Sequence, residues 1–358
     1  ESTLAQIYKK RDKDGSSYGG PAFYMQTALK QRWLGVIFSF LIILIYAVGY
    51  NMLAAYNLQS TFAAFSFYDA GVTPKLIGLI LAILFGVIVI GGAKRLVRVT
   101  AVMVPVMGVI YVLVSLLIMA LNITNLPHMF AMIFKGAFDF PSIFGGFAGS
   151  CIMWGIKRGL YSNEAGMGSA PNAAAKADVS HPVKQGLIQA LSVFTDTIVI
   201  CSCTAFIILL SDLPLDGTLK GIQLTQAAVG HEIGPFGAQF IAFCILLFAF
   251  SSIVGNYSYC ETNLFFISRH PAGLQIYRIA VGGMVFFGSV AGLDIVWNLA
   301  DLFMALMTLI NLIALIFLGH LALKALKNYN DQKRRGIKSP VFKASDIPEI
   351  EDQLSEWK

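Results

Sequence analysis

Apolar residues in this chain come in long, nearly unbroken runs, separated by short polar or basic stretches. A run of about 17 residues or more, wound as a helix, crosses roughly 30 Å of hydrocarbon. The pattern predicts eight spans: Trp33–Ala55, Lys75–Ala93, Val99–Leu121, Phe140–Gly155, Val183–Ser211, Gly237–Phe265, Gln275–Leu293 and Trp297–His320. The fourth differs from the rest. It is short, holds Gly145, Gly146, Gly149 and Gly155, and runs straight into Lys157-Arg158 and the small, polar segment SNEAGMGSAPNAAA. An interior glycine weakens a helix by about 0.8–1.0 kcal/mol relative to alanine. The cluster therefore predicts an unwound outer half, with Cys151 to Leu160 as a short second helix. Non-helical backbone at membrane depth persists only where protein buries it or a water-filled cavity solvates it. A glycine-interrupted span is thus a pointer to a transporter site; close helix packing through small residues is the other reading.

Composition and charge agree with a polytopic membrane protein. The 358 residues are 56% hydrophobic and 13% charged, where soluble domains carry about 25% charged residues. If the first basic loop faces the cytoplasm, 23 of the 26 Lys and Arg fall on that side, Lys157 and Arg158 among them, and only Lys75, Lys135 and Lys220 on the other. Positive residues mark cytoplasmic loops, so the ratio supports the span count and puts the C-terminus inside. The net charge of +6 lies in those short loops and is no nucleic-acid footprint. Three regions result: 1–32, the end of a helix and a basic loop; 33–326, the membrane domain; and 327–358, a charged, partly disordered cytoplasmic tail. The opening ESTLAQIYKKRDKDG reads as the end of a helix with sequence missing upstream.

Polar residues inside spans carry the candidate chemistry. Asp196 lies about half way along its span, where a charge costs about 2.5–3.5 kcal/mol to insert; it is either an ion or proton site or the partner of a neighbouring hydroxyl or amide. Ser251 and Ser252, beside Gly255 and Asn256, offer oxygen ligands to a small hard cation, or they bond back to the preceding turn. Asn51 is a ligand or an interhelical amide partner. The five cysteines sit in or beside apolar spans, and the five histidines share no spacing, so neither a disulfide framework nor a zinc site is indicated. No nucleotide loop or nucleophile–base pattern is present, and nothing argues for an enzyme or a bound cofactor.

The stretch Arg158 to Thr197, RGLYSNEAGMGSAPNAAAKADVSHPVKQGLIQALSVFTDT, resembles the alanine/glycine:cation symporter family. Its core is SNEAG-x-GSAP, with Ser162, Asn163, Glu164 and Gly166, followed by HPV-x-QG. The opening E-x-x-LA-x-x-Y, Gly19-Gly20-Pro21 and the run Val296 to Leu315 fit as well. The resemblance implies a leucine-transporter-like, all-α fold of two inverted five-helix repeats. Phe140–Leu160 would then be the broken first helix of the second repeat, and the first broken helix would lie upstream. It further implies sodium at Ser251 and Ser252, and an amino acid held by Gly145, Gly146, Phe147 and Gly149 with Asn51 and Asn256. Two positions depart from the family: Ala54 stands where a glutamine is usual, and Asn256 where a tryptophan is usual. Both changes enlarge the pocket.

The chain is thus expected to be a monomeric secondary symporter of the plasma or inner membrane. It would import a small neutral amino acid (alanine or glycine, or the larger or more polar glutamine or serine) with Na+ by alternating access. Proton coupling through Asp196 is the alternative. A passive channel would show flux without sodium dependence, and a membrane sensor would fail on deletion of Asn328–Lys358.

Overall fold

Runs that are apolar on every side cannot fold as surface helices in water, so they stack on one another and turn their remaining apolar faces outward to lipid. The computed structural model describes residues 1–12, 15–91, 93–138 and 147–357, with the backbone alone for 90–91, 93–100 and 147–151. Among these residues six helical runs are long and apolar enough to cross a membrane: Arg32–Ala64, Ala101–Leu121, Pro182–Leu210, Pro235–Ile267, Pro271–Val290 and Leu293–Arg334. Ile279 and Ile316 are 77% and 79% exposed, whereas Asn51, Asn263 and Asn311 are wholly buried. Polar inside and apolar outside is the inverse of a water-soluble bundle.

In chain order, α1 (Ser2–Ile7) leads into a two-residue hairpin of β1 (Lys10–Arg11) and β2 (Ser17–Tyr18), then α2 (Pro21–Thr27). The first long run is α3 (Arg32–Ile43), a π-helical stretch Leu44–Tyr50, and α4 (Asn51–Thr61). There follow α5 (Thr73–Gly91), α6 (Ala93–Leu121), α7 (Leu126–Ala137), α8 (Phe147–Asn163) and the short α9 (Ala170–Ala174). The next run is α10 (Pro182–Phe194), a second π-helical stretch Thr195–Ile200, and α11 (Cys201–Leu210). Then come α12 (Ile222–Ile233), α13 (Pro235–Ile267), α14 (Pro271–Val290) and α15 (Leu293–Arg334). Pro21, Pro182, Pro235 and Pro271 each open a helix, where the missing N–H removes no bond. Helices α5 and α8 occupy the stretches of the two expected spans not in the group of six.

Small residues let the backbones close up. Gly49 lies against Ala300 and Gly288 against Met52. The main core joins α1, α3, α4, α13, α14 and α15; a second, around Ile118, Ile207, Val229 and Ile241, joins α6, α11, α12 and α13.

Three expectations change. Helix α8 runs without a break through Gly149 and Gly155. Gly145 and Gly146, where the break is expected, lie outside the described residues; among those described, an irregular turn follows α8 at Glu164–Ser169, where Glu164, Gly166 and Gly168 have φ of +54°, +82° and +90°. Glycine density tolerates unwinding; positive φ requires it. Next, Lys157 and Arg158 do not lie with the other basic loops. Both sit in α8, against Asp301 near the α14–α15 junction, while Lys176 bonds Ser258 toward the opposite end of α13. The tail, finally, is ordered: α15 continues to Arg334, and beyond it Phe342, Ile347, Ile350 and Leu354 are buried.

Candidate functional site

A cavity of about 350 Å³ opens where four segments meet. One wall is α4 and the turn before it, through Tyr50, Ala54 and Asn57, spaced to share a helix face. Opposite is α13, through Ile245, Phe248, Ala249, Ser252 and Asn256. The end of α8 brings Tyr161, Ser162 and Glu164, and the second π-helical stretch brings Asp196. Such π-turns insert an extra residue into a helix and recur at functional sites. Here the two of them carry Tyr50 and Asp196 to the same cavity.

The wall is rich in hard oxygen and amide groups, the chemistry that suits a zwitterion or an alkali cation. Ser162 donates to the Asp196 carboxylate, and its hydroxyl also lies 3.0 Å from Cys201 Sγ. Asn163 donates to Thr197 at 3.0 Å. Asp196 is therefore a hydroxyl's partner and a cavity residue at once. The Asn256 amide donates to Asn51 Oδ1 at 2.9 Å, tying α13 to α4. Asn51 is wholly buried behind that bond, whereas Asn256 lines the cavity. The two serines divide. Ser252 lines the cavity, whereas Ser251 donates to the Phe248 carbonyl at 2.9 Å. Tyr50 Oη is buried without a hydrogen-bond partner among the described residues.

The turn Glu164–Ser169 is held from several sides. Ser169 donates to Glu164 at 2.6 Å, and the Ala165 N–H donates to Asn163 Oδ1 at 3.0 Å. The Glu1 carboxylate accepts the N–H groups of Gly166 and Gly168 at 3.2 and 3.1 Å. It also accepts the side-chain amides of Gln189 and Asn311, at 2.6 and 3.0 Å. Asn172 donates to the Gly168 and Ser169 carbonyls and accepts from Asn263. At Gly168 a Cβ would stand 2.8 Å from the Phe38 ring, so neither φ nor space admits another residue. Sequence reasoning missed Glu1, Asn263 and Asn311 as the cradle of this turn. The available signal was an amide within an otherwise apolar run, as in TLINLIAL.

Of the residues expected to hold an amino acid, Asn256 lines the cavity, and Asn51 supports it. Phe147 and Gly149 begin α8, of which the backbone alone is described there. Gly145 and Gly146 lie outside the described residues.

Beside the cavity, Tyr161 packs edge-on to Tyr50, with centroids 5.0 Å apart, and at 4.9 Å from Trp297. The Arg158 guanidinium lies 4.1 Å above the Trp297 ring. A second cavity, about 690 Å³, is lined by Arg11, Tyr18, Lys176, Asp178, Glu261 and Arg269 among others. Glu261 follows Asn256 by five residues on α13, about 8 Å along the axis, so the two cavities succeed one another along that helix.

A family model described as "Sodium:alanine symporter family" matches residues 1–344. The chain is 48% identical over 352 residues to the "Amino-acid carrier protein AlsT" of Bacillus subtilis (strain 168), covering 98% of this chain and 74% of that protein. It is 48% identical over 343 residues to the "Probable sodium/glutamine symporter GlnT" of the same organism, covering 96% and 70%. To the "Sodium/alanine symporter AgcS" of Methanococcus maripaludis it is 34% identical over 351 residues, covering 95% and 75%.

Proposed function

Because the chain belongs to the sodium:alanine symporter family, we propose that it imports a small neutral amino acid together with Na+ by alternating access across the plasma membrane. The family is one of transporters, so the chain is not an enzyme. The observation that carries the reading is the approximately 350 Å³ cavity at which both π-helical stretches, α13 and the Glu164–Ser169 turn converge.

In this reading the amino acid lies between α4 and α13, against Asn256, with Gly145 and Gly146 offering backbone groups. Sodium takes the Ser252 hydroxyl, and Ser251 fixes the helix turn beneath it. The fold is the leucine-transporter-like inverted repeat with eight of its spans in this chain, and the protein works as a monomer with its C-terminus in the cytoplasm. Ala54 and Ala249 leave room for a side chain longer than a methyl, which supports glutamine or serine alongside alanine. One relative is named for glutamine and another for alanine. Coupling is a linkage. Sodium stabilises the substrate-competent state only by its differential affinity for that state, and the amino acid then favours closure. Proton coupling is the second reading, favoured by the Ser162–Asp196 bond in the cavity wall.

The test is uptake of radiolabelled alanine and glutamine into proteoliposomes holding the native protein, under a sodium gradient, a proton gradient or neither. Accumulation above the outside concentration only with sodium is the expected result. Equal flux in all three conditions rejects symport, and accumulation with the proton gradient alone, lost in Asp196→Asn, selects Asp196 as the coupling group.

A further inference from the structure

We propose that residues 339–357 form a strap that holds one end of the bundle closed beside the larger cavity and slows transport until it is released. The inference rests on the transporter reading above.

The chain reverses at Gly336, at φ +83°, and returns along α15. Gln332 donates to the Val341 carbonyl at 2.7 Å and accepts the Val341 N–H at 2.9 Å. The tail next crosses the loop before α10. There the Phe342 N–H donates to the Ser180 carbonyl at 3.0 Å, Ser180 donates to the Pro340 carbonyl at 2.8 Å, and Phe342 packs edge-on to His181. It ends on the segment after α1. Trp357 Nε1 donates to the Gln6 carbonyl at 3.0 Å, Lys9 Nζ lies 4.5 Å over the Trp357 ring, and Glu356 pairs with Arg11 at 3.1 Å. One short segment therefore ties residues 6–11, 180–184 and 324–332 together.

The strap rests on the rim of the larger cavity. Arg11 and Asp178 line the larger cavity, and both also line the groove beneath Ser355, Glu356 and Trp357. Its far end thus sits on rim residues of the space that follows the smaller cavity along α13. Ile347, Ile350 and Leu354 are 5% exposed or less, so docking is specific. The flanking pairs Arg11–Glu356 and Lys324–Glu349 are more exposed, so each is weak. A specific contact with weak flanks is reversible.

A solute leaving by the larger cavity passes between the hairpin and the loop at 176–178 on one side and α13 on the other, and the strap ties that hairpin and loop to α15. A contact that bridges them only when they are together stabilises the closed state and lowers the population of the open one.

The test uses the native protein in proteoliposomes with radiolabelled alanine and glutamine. Trp357→Ala, and a stop after Ala344, should raise the maximal rate about threefold, the scale of a modest population shift, with half-saturating sodium unchanged. A synthetic Ser345–Lys358 peptide inside the vesicles should return the truncated protein to the slow rate. The pair Arg11→Glu with Glu356→Arg should lie closer to the parent than either single change. An unchanged rate, with a red shift of tryptophan emission in Ile350→Asp showing the tail released, overturns the strap. So does a lower rate that the peptide does not correct. If the parent shows no sodium-driven uptake, the functional reading fails on its own. Reaction of Thr262→Cys in the larger cavity with an impermeant thiol reagent then decides the strap, which requires faster labelling in the truncated protein and is overturned by equal labelling.

Discussion

Arg158 of α8 and Asp301 of α15 are bound to each other: one guanidinium nitrogen lies 2.5 Å from both carboxylate oxygens, across 143 residues of sequence. Trp297 covers the guanidinium from the other side at 4.1 Å. The pair fixes the end of α8, and with it Tyr161 at the cavity wall. Arg158→Ala leaves Asp301, whose side chain is 15% exposed, with Lys157 at 3.9 Å as its one cation among the described residues. We expect a loss of stability in either Arg158→Ala or Asp301→Asn. The double variant should lose less than the sum, with a coupling of about 0.5–3 kcal/mol, read from unfolding of the purified protein in detergent. Arg158→Lys keeps the charge but loses the planar fork that stacks on Trp297, so it should recover only part of the loss.

The location of the irregular backbone is testable by one pair of substitutions. Gly168→Ala meets both a positive φ and the Phe38 ring, a combination that costs on the order of 1–3 kcal/mol. Gly155→Ala lies inside α8 with open space around it and should be neutral or stabilising by about 0.8–1.0 kcal/mol. Opposite signs in the thermal midpoint are the expected outcome. A stabilised Gly168→Ala would place the unwound segment elsewhere.

The adjacent serines should behave differently. Ser252→Ala removes an oxygen that lines the cavity and should raise the sodium concentration for half-maximal uptake by about three- to tenfold, the worth of one hydrogen bond or ligand. Ser251→Ala removes a bond back to Phe248 and should change it less than twofold, a few tenths of a kcal/mol. Equal effects would show that the two hydroxyls share the ion.

Tail docking should depend on pH through His181. Its ring lies edge-on to Tyr329 and Phe342 and within 3.1 Å of Asn328. Burial holds its pKa below the usual 6.5, opposed by the Asn328 bond and Asp346, and reinforced by Lys184. A base whose folded pKa is lowered favours its neutral form. The docked tail is therefore fully stable above pH 6.5 and loses stability as pH falls through and below that value. Trp357 emission, followed from pH 7.5 to 5, should report release on the acid side, and His181→Gln should flatten the profile.

What this sequence determined by itself follows from local pattern. Unbroken apolar runs have one stable disposition, as helices in lipid, so the bundle and the bias of positive charge were legible without coordinates. So was the SNEAGMGS segment, because its residue types are unusual beside a span. Other features needed the folded chain, since each depends on partners far apart in sequence. Lys157-Arg158 looks like a loop until Asp301 is brought beside it. Glycine density pointed to Gly145–Gly149, of which Gly145 and Gly146 lie outside the described residues; the turn at Glu164–Ser169 shows itself only through positive φ, a property of the folded backbone. The two π-helical stretches leave no composition signal, because one extra residue in a helix turn costs little and changes only which side chains face inward. The tail reads as charged and loose because its apolar residues are few and scattered. Only the surface made by α1, the loop before α10 and α15 gives them somewhere to be buried.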